Sequence, residues 1–102
     1  MSAIVELSIF PLNKTGESLS PYVARVLAVI EASGLPYRLN PMGTCVEGHW
    51  DQVLAVVSDC MKELQKDSER VYLTFKADWK RGDAPRMGSK VASVEEKLGG
   101  GR

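Results

Sequence analysis

The chain has 102 residues, of which 44% are hydrophobic and 25% charged, and this fits one compact domain with a modest core. Thirteen basic residues balance thirteen acidic ones, so the formal net charge is zero, and neither a nucleic acid nor an anionic membrane surface is an expected partner. A small domain without net charge lacks electrostatic repulsion between its copies, which favours self-association.

The reactive side chains are few. His49 is the only histidine, and Cys45 and Cys60 are the only cysteines, with no CxxC pair, which argues against a structural zinc site and a catalytic triad. The first apolar stretch, Ala3–Phe10, is short and contains Glu6, so no signal peptide is indicated, and we expect free thiols and a cytoplasmic location. No stretch is long enough to span a membrane. The nucleotide-binding fingerprints GxGxxG and GxxxxGK[ST] are absent, and we expect no cofactor or metal ion.

The first half of the chain predicts a strand followed by a helix. Ala3–Phe10 alternates with the period of a half-buried strand, and Pro11 ends it. Ser20 and Pro21 then predict the N-cap and the first position of a helix that runs to about Ser33. Its expected inner face has four apolar residues at helical spacing: Val23, Val26, Leu27 and Ile30.

The middle of the chain predicts two short strands, a second helix and a further strand. Tyr37–Asn40 and Thr44–Glu47 flank the break Pro41–Gly43 and indicate a hairpin or a strand pair with a bulge. His49–Lys66 predicts a helix with a wide apolar stripe, and Arg70–Lys76 alternates as a fourth strand. The stripe consists of Val53, Val56, Val57, Cys60, Met61 and Leu64.

The end of the chain predicts a short amphipathic helix carrying Met87, Val91, Val94 and Leu98. The glycines at 99–101 indicate a flexible tail, so the expected domain covers residues 1–98 and the tail 99–102. Strand, helix, two strands, helix and strand, with an added C-terminal helix, is the split βαβ order of α+β ferredoxin-like folds. In this fold both long helices cover one face of an antiparallel sheet and leave the other face open.

Strand alternation assigns side chains to the two faces of that sheet. Apolar residues of the first and fourth strands are expected to face the helices: Val5, Leu7, Ile9, Val71, Leu73 and Phe75. The residues between them are expected on the open face: Glu6, Ser8, Phe10, Tyr72, Thr74, Lys76 and Asp78. This face combines carboxylates, hydroxyl groups and aromatic rings, so it is the surface on which we expect the function.

Several segments that cover nearly the whole chain together carry a family resemblance: Glu6–Pro11, Ser18–Val23, Glu31–Tyr37, Pro41–Thr44 with Glu47–Gly48, Arg70–Val71, Lys76–Asp83, Met87 and Lys90–Val91. In these segments the chain resembles a family of small proteins described as thiamine-binding proteins. The resemblance implies a ferredoxin-like fold and edge-to-edge pairing of two chains. It also implies packing of two such dimers through their sheets into a homotetramer, and binding of thiamine or its hydroxymethylpyrimidine part, with no established reaction.

Thiamine joins an aminopyrimidine, which needs hydrogen-bond partners in its plane, to a thiazolium cation, which favours a carboxylate or an aromatic face. The candidate ligand-binding residues are Glu6, Ser8, Phe10, Thr44, Glu47, Tyr72, Lys76 and Asp78. Structural roles compete with this one: Glu6 suits an ordinary solvated position on a strand or an intersubunit ion pair, and Phe10 and Tyr72 suit an intersubunit core. Lys76 and Asp78 suit an ion pair on the open face, or Asp78 faces a cation while Lys76 and Arg81 hold a phosphate.

Three classes of function are compatible with these residues. The first is non-enzymatic binding of thiamine or its pyrimidine by an oligomer that acts as a carrier, buffer or sensor. The second is an enzyme that uses Glu6, Glu47 or Asp78 as a general acid or base, and the third is a regulatory module whose open face binds another protein. Scattered carboxylates without a recognisable nucleophile favour binding without catalysis. Because so small a core cannot easily enclose a drug-sized ligand, we expect the pocket at or close to a subunit interface.

Overall fold

The computed structural model of the chain describes residues 2–12, 18–82 and 85–100. The elements in chain order are β1 (Ser2–Pro11), α1 (Ser20–Ala32), β2 (Tyr37–Asn40), β3 (Gly43–Gly48), α2 (Trp50–Gln65), β4 (Val71–Lys80) and α3 (Met87–Gly100). The strands form one antiparallel sheet in the order β2-β3-β1-β4. This arrangement confirms the predicted α+β ferredoxin-like fold with an additional C-terminal helix.

The core lies between the sheet and the two long helices. On β1, Val5, Leu7 and Ile9 are buried as alternation predicts, and α2 buries its predicted apolar stripe except Met61, which is partly buried. Val71 and Leu73 of β4 pack against this core, whereas Phe75, predicted to do the same, is 46% exposed and is not among the residues packed against it. Three pairs of residues that stand opposite each other on β1 and β4 form the open face as predicted: Glu6 with Lys76, Ser8 with Thr74, and Phe10 with Tyr72. This division of side chains between the two faces of the sheet follows from the period-2 geometry of strands.

Helix α1 buries Val26 and Ile30 as predicted, but its third buried residue is Tyr22, and the predicted Val23 and Leu27 are not buried. Tyr22, Val26 and Ile30, spaced by four, are buried, whereas Val23 is exposed. The N-cap prediction was also wrong: the N-cap is Leu19, which has no capping oxygen, and the backbone N–H of Ser20 donates to Ser18 Oγ at 3.3 Å. Because rows spaced by three and by four both run along one helix face, the sequence alone did not select between Tyr22 and Val23.

Two elements are longer than predicted. Strand β4 continues to Lys80, since all ten residues of β1 have a partner on it, from Ser2 opposite Lys80 to Pro11 opposite Val71. Helix α3 continues to Gly100, so it includes the first two residues of the expected tail, and residues 101–102 lie outside the described part of the chain. In the described ranges no helix is both long and apolar enough to cross a membrane.

The contact between α1 and α2 includes a network of charged side chains around Arg25. Its guanidinium group donates to Glu63 Oε2 at 2.9 Å and to both carboxylate oxygens of Asp67 at 3.0 Å. Lys66 adds a second cation to Glu63 at 3.0 Å. Hydrogen bonds from Lys66 and then Arg25 hold the pKa of Glu63 below its usual value. These contacts stabilise the charged carboxylate in the folded state.

Replacing Arg25 by methionine is expected to lower the urea midpoint of unfolding at neutral pH, and this deficit is expected to shrink in acid. A carboxylate whose folded-state pKa is lowered stabilises the fold above its unfolded-state pKa, and this contribution is lost as the pH falls through the lower folded value. For Glu63 that loss lies below the usual pKa of 4.5. Urea unfolding of both proteins at about pH 7 and about pH 3 tests this. Lys62→Met, on the exposed side of α2, is the control, and a deficit that stays constant with pH would contradict the expectation.

Candidate functional site

The sheet has a gap because β3 is shorter than β1 and pairs with only the first part of it. Pairing between β1 and β3 runs only from Ala3 to Leu7, whereas β1 continues to Pro11. Beyond Leu7, the edge of β1 that faces away from β4 therefore has no strand partner in the described part of the chain. The β2–β3 turn and the first half of α1 border this gap, and we call the resulting cavity, of about 300 Å³, the notch.

The walls of the notch are mainly apolar, with a few polar groups between them. The residues that line it are Leu7, Ser8, Ile9, Phe10, Leu19, Val23, Val26, Leu39, Asn40, Pro41, Met42, Gly43 and Thr44. Thr44 is buried and stands opposite Leu7, so it lies on the helix-facing side of the sheet and contributes a hydroxyl group to the notch. An apolar cavity with a few fixed polar groups is typical of small-molecule sites.

The main chain of Ile9 supplies a further donor and acceptor to the notch. In a strand, the N–H and C=O of successive residues point to alternate edges. The N–H of Leu12 donates to the carbonyl of Arg70 at 2.9 Å, on the β4 side of β1. By alternation, the N–H and C=O of Ile9 point to the opposite edge, into the notch. This residue therefore offers a planar donor–acceptor pair to a ligand.

A second cavity, of about 260 Å³, lies on the open face and is lined by Glu6, Leu7, Ser8, Met42, Thr74, Phe75 and Lys76. We call it the acidic pocket because it contains the carboxylate of Glu6, whose side chain is 40% exposed. Glu6 Oε1 lies 3.4 Å from Lys76 Nζ, and Cys45 Sγ donates to Oε2 at 3.9 Å. Burial, and then the charge of Glu6, raise the pKa of the Cys45 thiol, so it stays a protonated donor.

Gly43 allows the Glu6 side chain to lie across the neighbouring strand. A Cβ atom at position 43 would stand 3.1 Å from the carbonyl oxygen of Leu7 and 3.3 Å from Cγ of Glu6. Both distances are shorter than ordinary contacts, so a side chain here would displace the carboxylate or widen the strand pair. The same residue lines the notch. It therefore couples the shape of the notch to the position of Glu6.

The notch and the acidic pocket adjoin at the β2–β3 turn. They share three lining residues, Leu7, Ser8 and Met42. Met42 stands at the turn with 89% of its surface exposed, so its flexible side chain borders both cavities without being held by the core. Together the two cavities form one elongated site that is apolar at one end and carries a carboxylate at the other.

Two predicted ligand residues instead hold α3 on the sheet. The Glu47 carboxylate, in a residue only 6% exposed, accepts the backbone N–H of Arg86 at 2.5 Å and that of Met87 at 3.2 Å. Asp78 pairs with Lys90 and with Arg86, and the hydrogen bond from Lys90 is the main cause that lowers the pKa of Asp78. Both carboxylates are therefore occupied by contacts at the start of α3.

The predicted pairing of Lys76 with Asp78 was wrong, because Lys76 pairs with Glu6 across the strands. The alternative, Lys76 and Arg81 sharing a phosphate, also lacks support: the Arg81 guanidinium lies 5.6 Å from the ring centroid of Trp79, which is in register with helix-facing Ala3. Phe10 and Tyr72 form a tilted ring pair with centroids 5.6 Å apart, at the far end of the open face. Within the described ranges, no group of three potential metal ligands is present.

The structure thus brings together Glu6, Ser8 and Lys76 around the acidic pocket, and Ser8, Phe10 and Thr44 around the notch. Sequence reasoning missed Asn40 and Met42, and it missed the main chain of Ile9. One signal was available: the predicted strand Thr44–Glu47 is half as long as Ala3–Phe10, so part of the longer strand had to lack a partner on that side.

Comparison with known proteins agrees with this architecture. A family model described as "Thiamine-binding protein" matches residues 5–95. The chain belongs to the thiamine-binding protein family. UPF0045 protein Mb1933 of Mycobacterium bovis is 36% identical over 99 residues, which cover 96% of each chain. A UPF0045 protein of Methanothermobacter thermautotrophicus is 35% identical over 95 residues, 91% of this chain and 96% of that one.

Solved structures share the thiamine-binding family fold seen here. The hypothetical protein MJ1052 of Methanocaldococcus jannaschii superposes with a TM-score of 0.84 at 29% identity, over 93% of this chain and 97% of that one. A Thermotoga maritima protein provisionally assigned to thiamine biosynthesis or salvage gives a TM-score of 0.79 at 23% identity, over 92% and 99% of the two chains. The second likeness, at this identity, concerns the fold alone.

Proposed function

We propose that this protein binds thiamine or its hydroxymethylpyrimidine part, without chemical conversion, in the site formed by the notch and the acidic pocket. The observation that carries the proposal is the unpaired edge of β1 at Ile9, next to the carboxylate of Glu6. The family description supports a thiamine-related ligand.

The aminopyrimidine ring fits the chemistry of the notch. Its exocyclic amino group donates and the adjacent ring nitrogen accepts, so this edge complements the C=O and N–H of Ile9. Thr44, Ser8 and Asn40 add polar groups around the ring, and the apolar side chains from α1 and the hairpin cover its faces. Hydrogen bonds in the ring plane with apolar contact above and below are what a small heterocycle requires.

The thiazolium ring fits the acidic pocket. Its fixed positive charge is stabilised by a nearby carboxylate, and Glu6 is the carboxylate that lines this cavity. Met42, at the junction of the two cavities, supplies a polarizable contact between the rings. Phe10 borders the notch, and Tyr72 lies beside it, so this ring pair is the aromatic surface next to the pyrimidine end.

We further propose that the protein works as a cytoplasmic homotetramer, a dimer of dimers. Three exposed apolar residues of α3, Val91, Val94 and Leu98, and three exposed aromatic residues of β4, Tyr72, Phe75 and Trp79, support burial against other copies. Strand β4 also lies at the sheet edge, where pairing with a second strand satisfies its free main-chain groups. Packing of sheets would then bring a second copy to the rim of the acidic pocket, which opens on that face.

Titration calorimetry combined with amide NMR tests the proposed site. We expect thiamine and hydroxymethylpyrimidine each to bind more tightly than about 1 mM, because weaker binding would not support a carrier or sensor. The amide shifts caused by hydroxymethylpyrimidine are expected at Ser8–Phe10 and Leu39–Thr44, with little change at Gly48–Gln52, which border a separate cavity. Absence of binding by both compounds would overturn the proposal, and shifts confined to Gly48–Gln52 would overturn the site.

A further inference from the structure

Lys76 occupies an unusual position for a residue of a cation-binding site. Its ammonium group lies 3.4 Å from the Glu6 carboxylate, and both side chains line the acidic pocket. The Lys76 side chain is 83% exposed. The charge proposed to attract thiazolium is therefore already paired, within the same cavity, with a mobile cation.

We infer that Lys76 is a specificity-determining residue that sets the charge preference of the site. This inference rests on the proposed binding of thiamine. In the empty site, the ammonium neutralises Glu6, and a cationic ligand must displace it. A neutral pyrimidine held in the notch does not compete for Glu6, so its affinity does not depend on this displacement. A phosphate group, in contrast, gains a cation when Lys76 turns to it.

The energetics allow such a displacement. An exposed lysine–carboxylate pair contributes little to stability, since water screens it and the long side chain loses freedom when it is held. The lysine stem is flexible, so the ammonium group can leave Glu6 and remain hydrated at the rim. Some repulsion of a nearby thiazolium remains, because two like charges a few ångströms apart at a protein surface interact measurably. Lys76 therefore lowers the affinity for a cation without closing the site.

The other cations on the open face are placed differently. Arg86 and Lys90 pair with Asp78, near the start of α3. Arg38 is in register with Cys45, which stands between it and Glu6 in the sheet. Among the residues that the structure describes, Lys76 is the basic residue that lines the acidic pocket. The charge preference is consequently assigned to this one side chain.

Calorimetric titration of Lys76→Met with thiamine and hydroxymethylpyrimidine tests the inference at low ionic strength. We expect the ratio of thiamine affinity to hydroxymethylpyrimidine affinity to rise about fivefold, and the ratio of thiamine monophosphate affinity to thiamine affinity to fall by about the same factor. Lys80→Met is the matched control, because it removes the same charge from the same strand and face, four residues away and opposite Ser2. The ratio of thiamine affinity to hydroxymethylpyrimidine affinity in this variant should equal that of the wild type. Salt at about 0.5 M should reduce the effect of Lys76→Met.

The outcomes separate this inference from the proposed function. Binding of both ligands with an unchanged ratio in Lys76→Met would overturn the role of Lys76 and leave the proposed function intact. An equal rise in Lys80→Met would show a general field effect, and this also overturns the assignment to Lys76. Failure of the wild-type protein to bind either ligand would overturn both. Circular dichroism of the two variants verifies that they keep the fold, which is expected for two exposed side chains.

Discussion

Replacing Glu6 by glutamine is expected to weaken thiamine binding about tenfold or more, because a charged contact in a partly closed site contributes more than a neutral hydrogen bond. Glutamine keeps the size of the side chain and can still accept a hydrogen bond from Cys45, but it cannot balance the thiazolium charge. Hydroxymethylpyrimidine carries no such charge, so its affinity should change by less than about threefold. Titration calorimetry of the two ligands measures the difference directly.

Glu31→Gln is the control for Glu6→Gln, since Glu31 is exposed on α1, away from both cavities. Light scattering should give the same mass for wild type and Glu6→Gln. Loss of the oligomer without a selective loss of thiamine affinity would make Glu6 a structural residue of a subunit interface, which is the competing interpretation of a carboxylate on the open face. An equal loss of affinity for thiamine and for hydroxymethylpyrimidine would contradict the placement of the thiazolium ring beside Glu6.

The faces of the sheet were predictable because they depend on a local period. Alternation alone placed Val5, Leu7 and Ile9 in the core and Glu6 and Ser8 opposite them, and tertiary structure only had to preserve that alternation. The hairpin and the stop of α1 were likewise encoded locally. Gly34 adopts a φ of +76°, a conformation that glycine tolerates and other residues resist.

The ion pairs were not predictable, because they depend on strand register and on elements far apart in the chain. Lys76 and Asp78 share a face of one strand but lie about 7 Å apart at their Cα atoms, whereas directly opposite residues such as Glu6 and Lys76 are about 5 Å apart. A pattern that shows which side a residue faces does not show which residue stands across from it. Sequence reasoning therefore identified the charged groups of the open face but paired them wrongly.

Glu47 illustrates a second limit. Its position in a short strand suggested a ligand carboxylate, and its actual partners are backbone N–H groups 39 and 40 residues later. The first N–H groups of a helix lack partners within the helix, and the sequence before α3 offered no obvious cap for them. Only the fold brings the β3 carboxylate to that helix terminus. For the same reason Glu47 and Asp78 lie outside the two cavities of the candidate site, because both carboxylates attach α3 to the sheet.

Helix α3 is expected to detach from the sheet when Glu47 is replaced by alanine. Its apolar residues Val91, Val94 and Leu98 are exposed in the single chain, so polar contacts at its first turn are what connect it to the sheet. The substitution leaves the N–H groups of Arg86 and Met87 without the carboxylate and removes a negative charge from a helix N-terminus. We expect a loss of about 1–3 kcal/mol in the free energy of unfolding, as for other hydrogen bonds to charged groups.

Hydrogen exchange followed by mass spectrometry distinguishes detachment of α3 from general loss of stability. In Glu47→Ala, amides of α3 should exchange much faster, whereas exchange of the β1 amides should quicken only in proportion to the measured loss of global stability. Ser89→Ala is the matched control, because the Ser89 hydroxyl contacts only carbonyls of its own segment, those of Pro85 and Arg86. Unchanged protection of α3 in Glu47→Ala would contradict the expectation and leave two sets of contacts that hold this helix: the pairs of Asp78 with Arg86 and Lys90, or contacts with other copies through the exposed apolar residues. Dilution below the dissociation constant of the oligomer separates the two, because only in the second case should it expose α3 in the variant while the wild type, which retains the anchor from β3, stays protected.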